Sequence, residues 1–168
     1  MILSSNVDYL NDKKTRNKVN TMISDYNCGG WALKTFSWYL PYNEDNHFDL
    51  AEELYKYGWS KEEVQEEILQ NDFEILLKDF SDKLIPIDSI EDAKEGDTVI
   101  AYRLYVEFFD ENNMIDTDFH FRVRENGSWT EKCGGGIVHP CLFTEEPWDT
   151  GGDCIYDSKI LYFIFKDD

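Results

Sequence analysis

Two short segments carry the residue types of a thiol-dependent reaction. The first contains Cys28, in the sequence NCGGWAL at residues 27–33, where an apolar helix is predicted to begin. The second contains His120, in the sequence DFHFRV at residues 118–123, which alternates as a β-strand does. A thiol reacts as its thiolate, and both a helix N-terminus and a neighbouring imidazole favour that form. We expect Cys28 and His120 to meet as a nucleophile and its general base.

The glycines of the first segment and a second histidine leave alternatives open. Gly29 and Gly30 form helices poorly, so they either let a substrate backbone approach the thiol or allow close packing against another segment. A cysteine buried among apolar groups would instead have a raised pKa and stay inert. His139 is a second candidate base, but Pro140 and the preceding glycines indicate a loop, so His120 is preferred.

Helices are predicted first along the chain and strands second. After an N-terminal arm at residues 1–24, an apolar pattern predicts a helix over residues 31–40. A capping box at Ser60 starts a longer helix, and His47 before it is interpreted as a surface residue of a polar loop. The predicted strands cover residues 98–108, 119–124, 128–132 and 160–165. This order is typical of an α+β domain, with N-terminal helices packed on a C-terminal antiparallel sheet.

The histidine strand is predicted to be one arm of a hairpin. An Asn-Gly pair at residues 126–127 favours a tight turn between it and the next strand. Alternation places His120 on the same face as Arg122 and Arg124, and that face is polar, as the lining of a cleft would be.

The cysteine segment resembles the motif of papain-like hydrolases of the NlpC/P60 type, in which Asp or Asn precedes the nucleophile and small residues follow it. The sequence GDTVI at residues 96–100 resembles the strand before the histidine strand in that group. The histidine strand, the Asn-Gly turn and WTEKCG at residues 129–134 also resemble a poorly characterised bacterial and phage family. Its members pair an Asn-Cys-x-x-x-Ala motif with a histidine strand and a Trp-[Ser/Thr]-x-Lys-x-Gly segment.

The resemblance implies a papain-like fold in which Cys28 attacks a carbonyl group while His120 acts as general base and then as acid. In papain-like hydrolases a third polar residue orients the histidine, commonly from the next strand, where Glu131 is the natural carboxylate. Lys132 matches the related family but cannot accept the imidazole N–H, so it would bind a substrate carboxylate or order the loop. Asp118 is a second candidate orienter. The residues expected to contact substrate or an oxyanion are Asn27, Gly29, Gly30, Trp31, Trp129 and Lys132.

Ordinary structural roles compete with several of these assignments. Asn27 would serve as a helix cap rather than as a catalytic residue. Glu131 and Lys132 would form a surface pair across two strands. The backbone N–H of Cys28 is the expected oxyanion donor, because amides at a helix N-terminus point towards developing negative charge.

Length and charge restrict the class of protein. The 168 residues predict a single domain, residues 1–168, with an acidic helical insertion at about residues 43–82. The 16 basic and 35 acidic residues give a net charge of −19, which repels phosphate backbones and favours basic partners. Direct binding to nucleic acid is therefore not expected. The alternative function is a catalytically silent, phage-type inhibitor that mimics nucleic acid and occupies a basic groove of a partner protein.

The main prediction is a cysteine hydrolase or acyl transferase that acts on an amide, isopeptide or thioester bond of a peptide or protein.

No membrane association is expected, because no apolar run is long enough to span a bilayer. The N-terminus lacks the basic and apolar regions of a signal peptide, so the expected location is the cytoplasm of a bacterium, or of a host cell if a phage encodes the chain. No metal or other cofactor is expected. The C-terminal part of the chain contains residue types that ligate zinc, but their spacing lacks the short Cys-x-x-Cys of structural zinc sites. Those ligand types are Cys133, His139, Cys141 and Cys154.

Overall fold

Three helices and eight strands make up the part of the chain that the structure describes. The structure is a computed structural model, and it describes residues 24–42 and 46–166. The predicted N-terminal arm lies outside this part except for its last residue. The helices are α1 (Cys28–Ala32), α2 (His47–Lys56) and α3 (Lys61–Asp79), and one 3₁₀ turn covers Ile90–Asp92. Within the described ranges, no helix combines the length and the apolar character that crossing a membrane requires.

Six of the strands form one antiparallel sheet, and the other two form a small ribbon. The strands are β1 (Leu84–Ile87), β2 (Thr98–Phe109), β3 (Met114–Glu125), β4 (Ser128–Lys132), β5 (Val138–Pro140), β6 (Trp148–Asp149), β7 (Ile155–Tyr156) and β8 (Leu161–Phe165). Their order across the sheet is β1-β8-β2-β3-β4-β5, and β6 pairs with β7. The predicted mixed α+β class with an antiparallel sheet is confirmed.

Alternation along β2 and β3 separates two apolar clusters, one on each face of the sheet. Tyr102 of β2 and Phe121 of β3 are partners in the register and belong to the cluster that packs against the helices. Val99 and Tyr105 of β2 belong to the second cluster, which includes Trp148 of the β6–β7 ribbon. The sheet is therefore covered on one face by helices and on the other by the ribbon and its loops.

Two local predictions are confirmed in detail. The Ser60 side chain accepts a hydrogen bond from the Glu63 amide, and the Glu63 side chain bonds back to the Ser60 amide, so the capping box is complete. Asn126 and Gly127 have φ angles of 51° and 80°, as the predicted tight turn between β3 and β4 requires.

The helix that begins at Cys28 is much shorter than predicted. It ends at Ala32 instead of continuing through residue 40, and Phe36 adopts a left-handed φ of 53°. The Phe36 N–H donates to the Gly30 carbonyl oxygen at 3.1 Å, so the chain turns back over the helix. Of the apolar side chains behind the helical pattern, Trp31, Leu33 and Phe36 reach the core, whereas Trp38 and Leu40 are exposed.

Gly30 is tightly enclosed by the turn that follows α1. A Cβ atom at this position would clash with the Ser37 carbonyl oxygen and lie 2.9 Å from the Cβ of Tyr26. A Cβ at Gly29 would lie 3.1 Å from the Tyr39 ring. Of the two alternatives for these glycines, the geometry supports close packing.

We expect Gly30→Ala to destabilise the fold, because its methyl group would meet backbone atoms that cannot move aside independently. Overpacking of this kind costs about 1–3 kcal/mol of unfolding free energy. Gly96→Ala is the matched control: a Cβ there meets nothing within 4 Å. The control should shift stability by less than about 0.5 kcal/mol. Urea unfolding followed by tryptophan fluorescence measures both variants, and equal stabilities would contradict the packing around α1.

Candidate active site

A cleft of about 490 Å³ lies beside the part of β3 that β4 does not pair. The β3–β4 register covers residues 122–125 of β3, which leaves the edge of β3 open at residues 118–120. Cys28 and His120, the two residues that the sequence predicts to act together, both line this cleft. Other lining residues include Trp38, Leu40, Asp118, Cys133, Asp153 and Tyr156.

Cys28 is a neutral thiol in this state. Its side chain lies at the start of α1 and the residue is only 4% exposed. Burial raises the pKa of Cys28 to about 12, and hydrogen bonds with the backbone of Phe121 and Gly29 offset part of that rise. The expectation that a helix N-terminus favours the thiolate is therefore wrong for the resting protein, because loss of water outweighs the first-turn amides.

His120 is paired with Glu131 beneath the sheet surface. The Nε2 atom of His120 lies 2.7 Å from Oε1 of Glu131, and Nε of Arg122 donates to the same oxygen at 3.0 Å. Burial by itself would raise the pKa of Glu131, but the hydrogen bond with His120 and the charge of Arg122 bring it below its ordinary value. Glu131 thus makes the contact that the orienting role requires. The alternative of a surface cross-strand pair with Lys132 is wrong, because both residues are buried.

The polar face of β3 is covered rather than open. His120 is 2% exposed, and its ring stacks on Tyr156 with centroids 5.2 Å apart. Arg122 lies over the ring of Trp148, 4.5 Å from its centroid. Since Cys28 belongs to the cluster on the helix face, the thiol and the imidazole reach the cleft from opposite faces of the sheet, at the open edge of β3.

Asp118 fixes the ring that covers His120, not the imidazole itself. Its carboxylate accepts a hydrogen bond from the Tyr156 hydroxyl at 2.7 Å. Tyr156 was not among the predicted site residues, because the irregular segment that carries it has no motif. His139, the alternative base, lies on β5 with its Nδ1 atom 3.9 Å from Oε2 of Glu131.

Lys132 anchors the cysteine segment from inside the protein. It is fully buried, and its Nζ atom donates to the Tyr26 carbonyl oxygen at 2.5 Å and to the Gly134 carbonyl oxygen. Burial lowers the pKa of Lys132, while the nearby thiols of Cys28 and Cys133 act in the opposite direction. Of the two roles expected for Lys132, the geometry matches ordering of the loop.

Asn27 holds two segments of chain around the thiol. Its Oδ1 atom accepts hydrogen bonds from the Gly30 and Tyr39 amides, each at 3.0 Å. Its Nδ2 atom donates to the Tyr39 carbonyl oxygen at 2.7 Å. Asn27 therefore caps α1 and fixes the returning chain, in agreement with the capping alternative.

The two tryptophans expected to contact substrate lie away from the cleft. Trp31 is buried in the helix-side core, where its Nε1 atom donates to Oγ1 of Thr130 at 3.0 Å. Trp129 stacks on Phe143 with ring centroids 4.1 Å apart. Both side chains are occupied by packing, so their assignment to substrate binding is corrected.

Cys133 also lines the cleft, although the sequence suggested it only as one of four potential zinc ligands. Its sulfur, a ring nitrogen of His120 and a carboxylate oxygen of Glu131 all lie within 4.8 Å of one another. Among the described residues, this is the set of three side chains that could hold a metal ion. The signal in the sequence is the spacing of two between Glu131 and Cys133, which keeps both on one face as a strand ends. All four cysteines are free thiols.

We expect Asn27→Ala to cost more stability than Asn46→Ala, although both asparagines cap helices. Asn46 makes a single capping bond, to the Asp49 amide at 2.8 Å, so its loss should cost about 1 kcal/mol. Loss of Asn27 removes a cap and leaves the backbone N–H and C=O of Tyr39 unpaired, which should cost about 2–4 kcal/mol. Chemical unfolding of the two variants measures the difference. Equal losses would contradict the link between Asn27 and Tyr39.

We expect the stabilising effect of Glu131 to depend on pH in a defined direction. Because its pKa is lowered in the folded protein, its contribution is present above the ordinary value of 4.5 and is lost as the pH falls through the folded value. The difference in unfolding free energy between the wild type and Glu131→Gln should therefore shrink on acidification from pH 7. The exposed Glu66 provides the control for loss of one carboxylate, since Glu66→Gln should change the unfolding free energy by less than about 0.5 kcal/mol. A difference that stays constant for Glu131→Gln would contradict the ionised pair.

No family model, no curated protein and no solved structure matches the chain. The expectations that come from motif resemblance therefore remain predictions.

Proposed function

We propose that the protein is a cysteine hydrolase or acyl transferase with a papain-like arrangement, acting on an amide, isopeptide or thioester bond. The observation that carries the proposal is that Cys28 and His120 line one cleft, with His120 hydrogen-bonded to Glu131 behind it. A helix start supplies the thiol, a strand supplies the imidazole, and the next strand supplies the orienting carboxylate. These are the roles of a nucleophile, a general base and its orienter.

The reaction begins with proton transfer from the thiol. Because Cys28 is neutral at rest, His120 takes its proton as the sulfur attacks the substrate carbonyl carbon. The carbonyl oxygen becomes an oxyanion, and the Cys28 backbone amide at the start of α1 is placed to stabilise it. The Gly30 and Trp31 amides are not available for this, since they donate to Asn27.

Glu131 and Arg122 support the charged form of His120. The carboxylate of Glu131 is already ionised, so it stabilises the imidazolium that forms when His120 gains the proton. Arg122 holds the carboxylate in place through a 3.0 Å hydrogen bond to the oxygen that also faces His120. The imidazolium then protonates the leaving group, and the acyl-thioester passes its acyl group to water or to another acceptor.

The walls of the cleft favour a peptide or protein segment as substrate. Trp38 and Leu40 form an apolar side and are 52% and 41% exposed, so they are available to an incoming side chain. Asp118 and Asp153 line the cleft as well, and their charge favours a neutral or basic segment over an acidic one.

A second candidate function uses a different surface. Glu62, Glu63, Glu66 and Glu67 of α3 line a groove beside Trp59. An acidic groove with one aromatic side chain fits the alternative of an inhibitor that binds a basic partner in place of nucleic acid. In that function Cys28 has no chemical role, so the acylation experiment below separates the two candidates.

The test is acylation of the thiol by p-nitrophenyl acetate, an activated ester that needs no specific recognition. We expect release of p-nitrophenol with acetyl transfer to Cys28, located by peptide mapping in a mass spectrometer. His120→Gln should slow the transfer by about 10²–10⁴-fold, since this is the range of general base catalysis. Glu131→Gln should give an intermediate rate, because the ring keeps a hydrogen-bond acceptor but loses the charge.

The matched control is Cys141→Ser. Burial raises the pKa of Cys141 to about 12, the same value as for Cys28, but Cys141 is not a cleft residue. This variant should acylate at the wild-type rate. Acylation at Cys133 instead of Cys28, or a Cys28 rate unchanged by His120→Gln, would contradict the proposal.

A further inference from the structure

We propose that the cleft also holds a zinc-binding site, formed by His120, Glu131 and Cys133. Their nitrogen, oxygen and sulfur ligand atoms lie within 4.8 Å of one another. His120 and Glu131 are buried, and Cys133 is half-buried beside the opening of the cleft. The three side chains come from two adjacent strands of one sheet and the residue that follows them, so the backbone fixes their mutual positions.

The ligand set suits zinc rather than calcium or magnesium. Zinc accepts cysteine sulfur, histidine nitrogen and carboxylate oxygen, whereas the harder ions require oxygen ligands alone. With bonds of about 2.0 Å to nitrogen and oxygen and 2.3 Å to sulfur, tetrahedral ligand atoms stand about 3.3–3.5 Å apart. The His120–Glu131 contact must therefore open from 2.7 Å, and Cys133 must approach by no more than about 1.5 Å.

Charge and proton balance also fit. A zinc ion with one carboxylate, one thiolate and one neutral imidazole gives a site of zero net charge. Cys133 releases its proton to solvent as the ion binds, and the proton on Nε2 of His120, which faces the ionised Glu131, moves to Nδ1 so that Nε2 can ligate the ion. The fourth position of the ion faces the cleft and takes a water molecule, as in sites with three protein ligands.

Neighbouring residues already hold the ligands as the outer partners in metal sites do. Nε of Arg122 donates to Glu131 at 3.0 Å, and the Thr150 side chain hydrogen-bonds Cys133. Hydrogen bonds of this kind fix the orientation of ligating groups. The positive charge of Arg122 weakens the binding of any cation. The site should therefore favour an ion that binds a thiolate strongly, as zinc does.

The ion would compete with the proposed reaction. Zinc occupies the imidazole that would take the Cys28 proton and the carboxylate that would stabilise it, so a zinc-loaded protein should not acylate. The site itself does not need Cys28, which lies outside the ligand set. Zinc binding can therefore be tested independently of the proposed hydrolase activity.

Binding is measured on the full-length protein with zinc ions, by competition with a chromogenic chelator. We expect one equivalent to be retained by the wild type, by Cys28→Ala and by Cys141→Ser. Cys133→Ser and His120→Gln should weaken binding by at least about 100-fold, since each removes a direct ligand and loss of an outer partner alone costs 10–100-fold. Cobalt provides a second readout, because sulfur ligation gives a thiolate-to-cobalt charge-transfer absorption that only the variants with Cys133 should show.

Circular dichroism of each metal-free variant separates loss of a ligand from loss of the fold. The proposal is overturned if the folded wild type retains no zinc, or if folded Cys133→Ser and Cys141→Ser bind equally well. Acylation is then assayed with and without zinc. If metal-free protein fails to acylate while zinc binds as expected, the hydrolase proposal fails and the metal site remains.

Discussion

The rest of the site depends on the contacts that the buried carboxylate of Glu131 makes with His120 and Arg122. An ionised group inside a protein is costly unless partners replace its water, and Glu131 has two of them on one oxygen, His120 and Arg122. Arg122 in turn packs on Trp148, which brings the β6–β7 ribbon over the sheet. The position of the imidazole and the cover over that face are therefore both linked to one buried charge.

The opposite problem arises at Cys28, where burial keeps the thiol neutral. A pKa raised to about 12 protects the sulfur from adventitious alkylation and oxidation, since the thiolate is the reactive form. In the proposed reaction, the proton must leave only when a substrate carbonyl is present to receive the sulfur. A base that is itself stabilised by a fixed carboxylate meets this requirement, because the charge that forms on His120 has a partner before the reaction starts.

The sequence predicted those features that depend on local patterns. Ser60 and Glu63 cap α3 and the Asn126-Gly127 turn joins two strands because the necessary residues are adjacent in the chain. The sequence did not predict that α1 ends at Ala32, because apolar runs occur both in helices and in buried turns. His47, interpreted as a surface residue, is buried 2.9 Å from Asp72, a partner 25 positions away that no local pattern could indicate. The proximity of Cys133 to His120 was not predicted for the same reason, since strand register decides it.

The net charge of −19 and the chemistry of the cleft are reconciled by where the cations lie. Among the described residues, the buried basic side chains are Arg103, Arg122 and Lys132. Arg122 faces Glu131, Lys132 lies under the segment of Cys28, and Arg103 donates to the Ser158 and Glu146 carbonyl oxygens of the loops that close the other face. Acidic groups are thus left mainly to the surface, where water screens them, while fixed positive charge accumulates beside the thiols and the carboxylate. A transient thiolate at Cys28 would therefore have the buried Lys132 nearby, and this charge opposes that of Asp118 in the cleft.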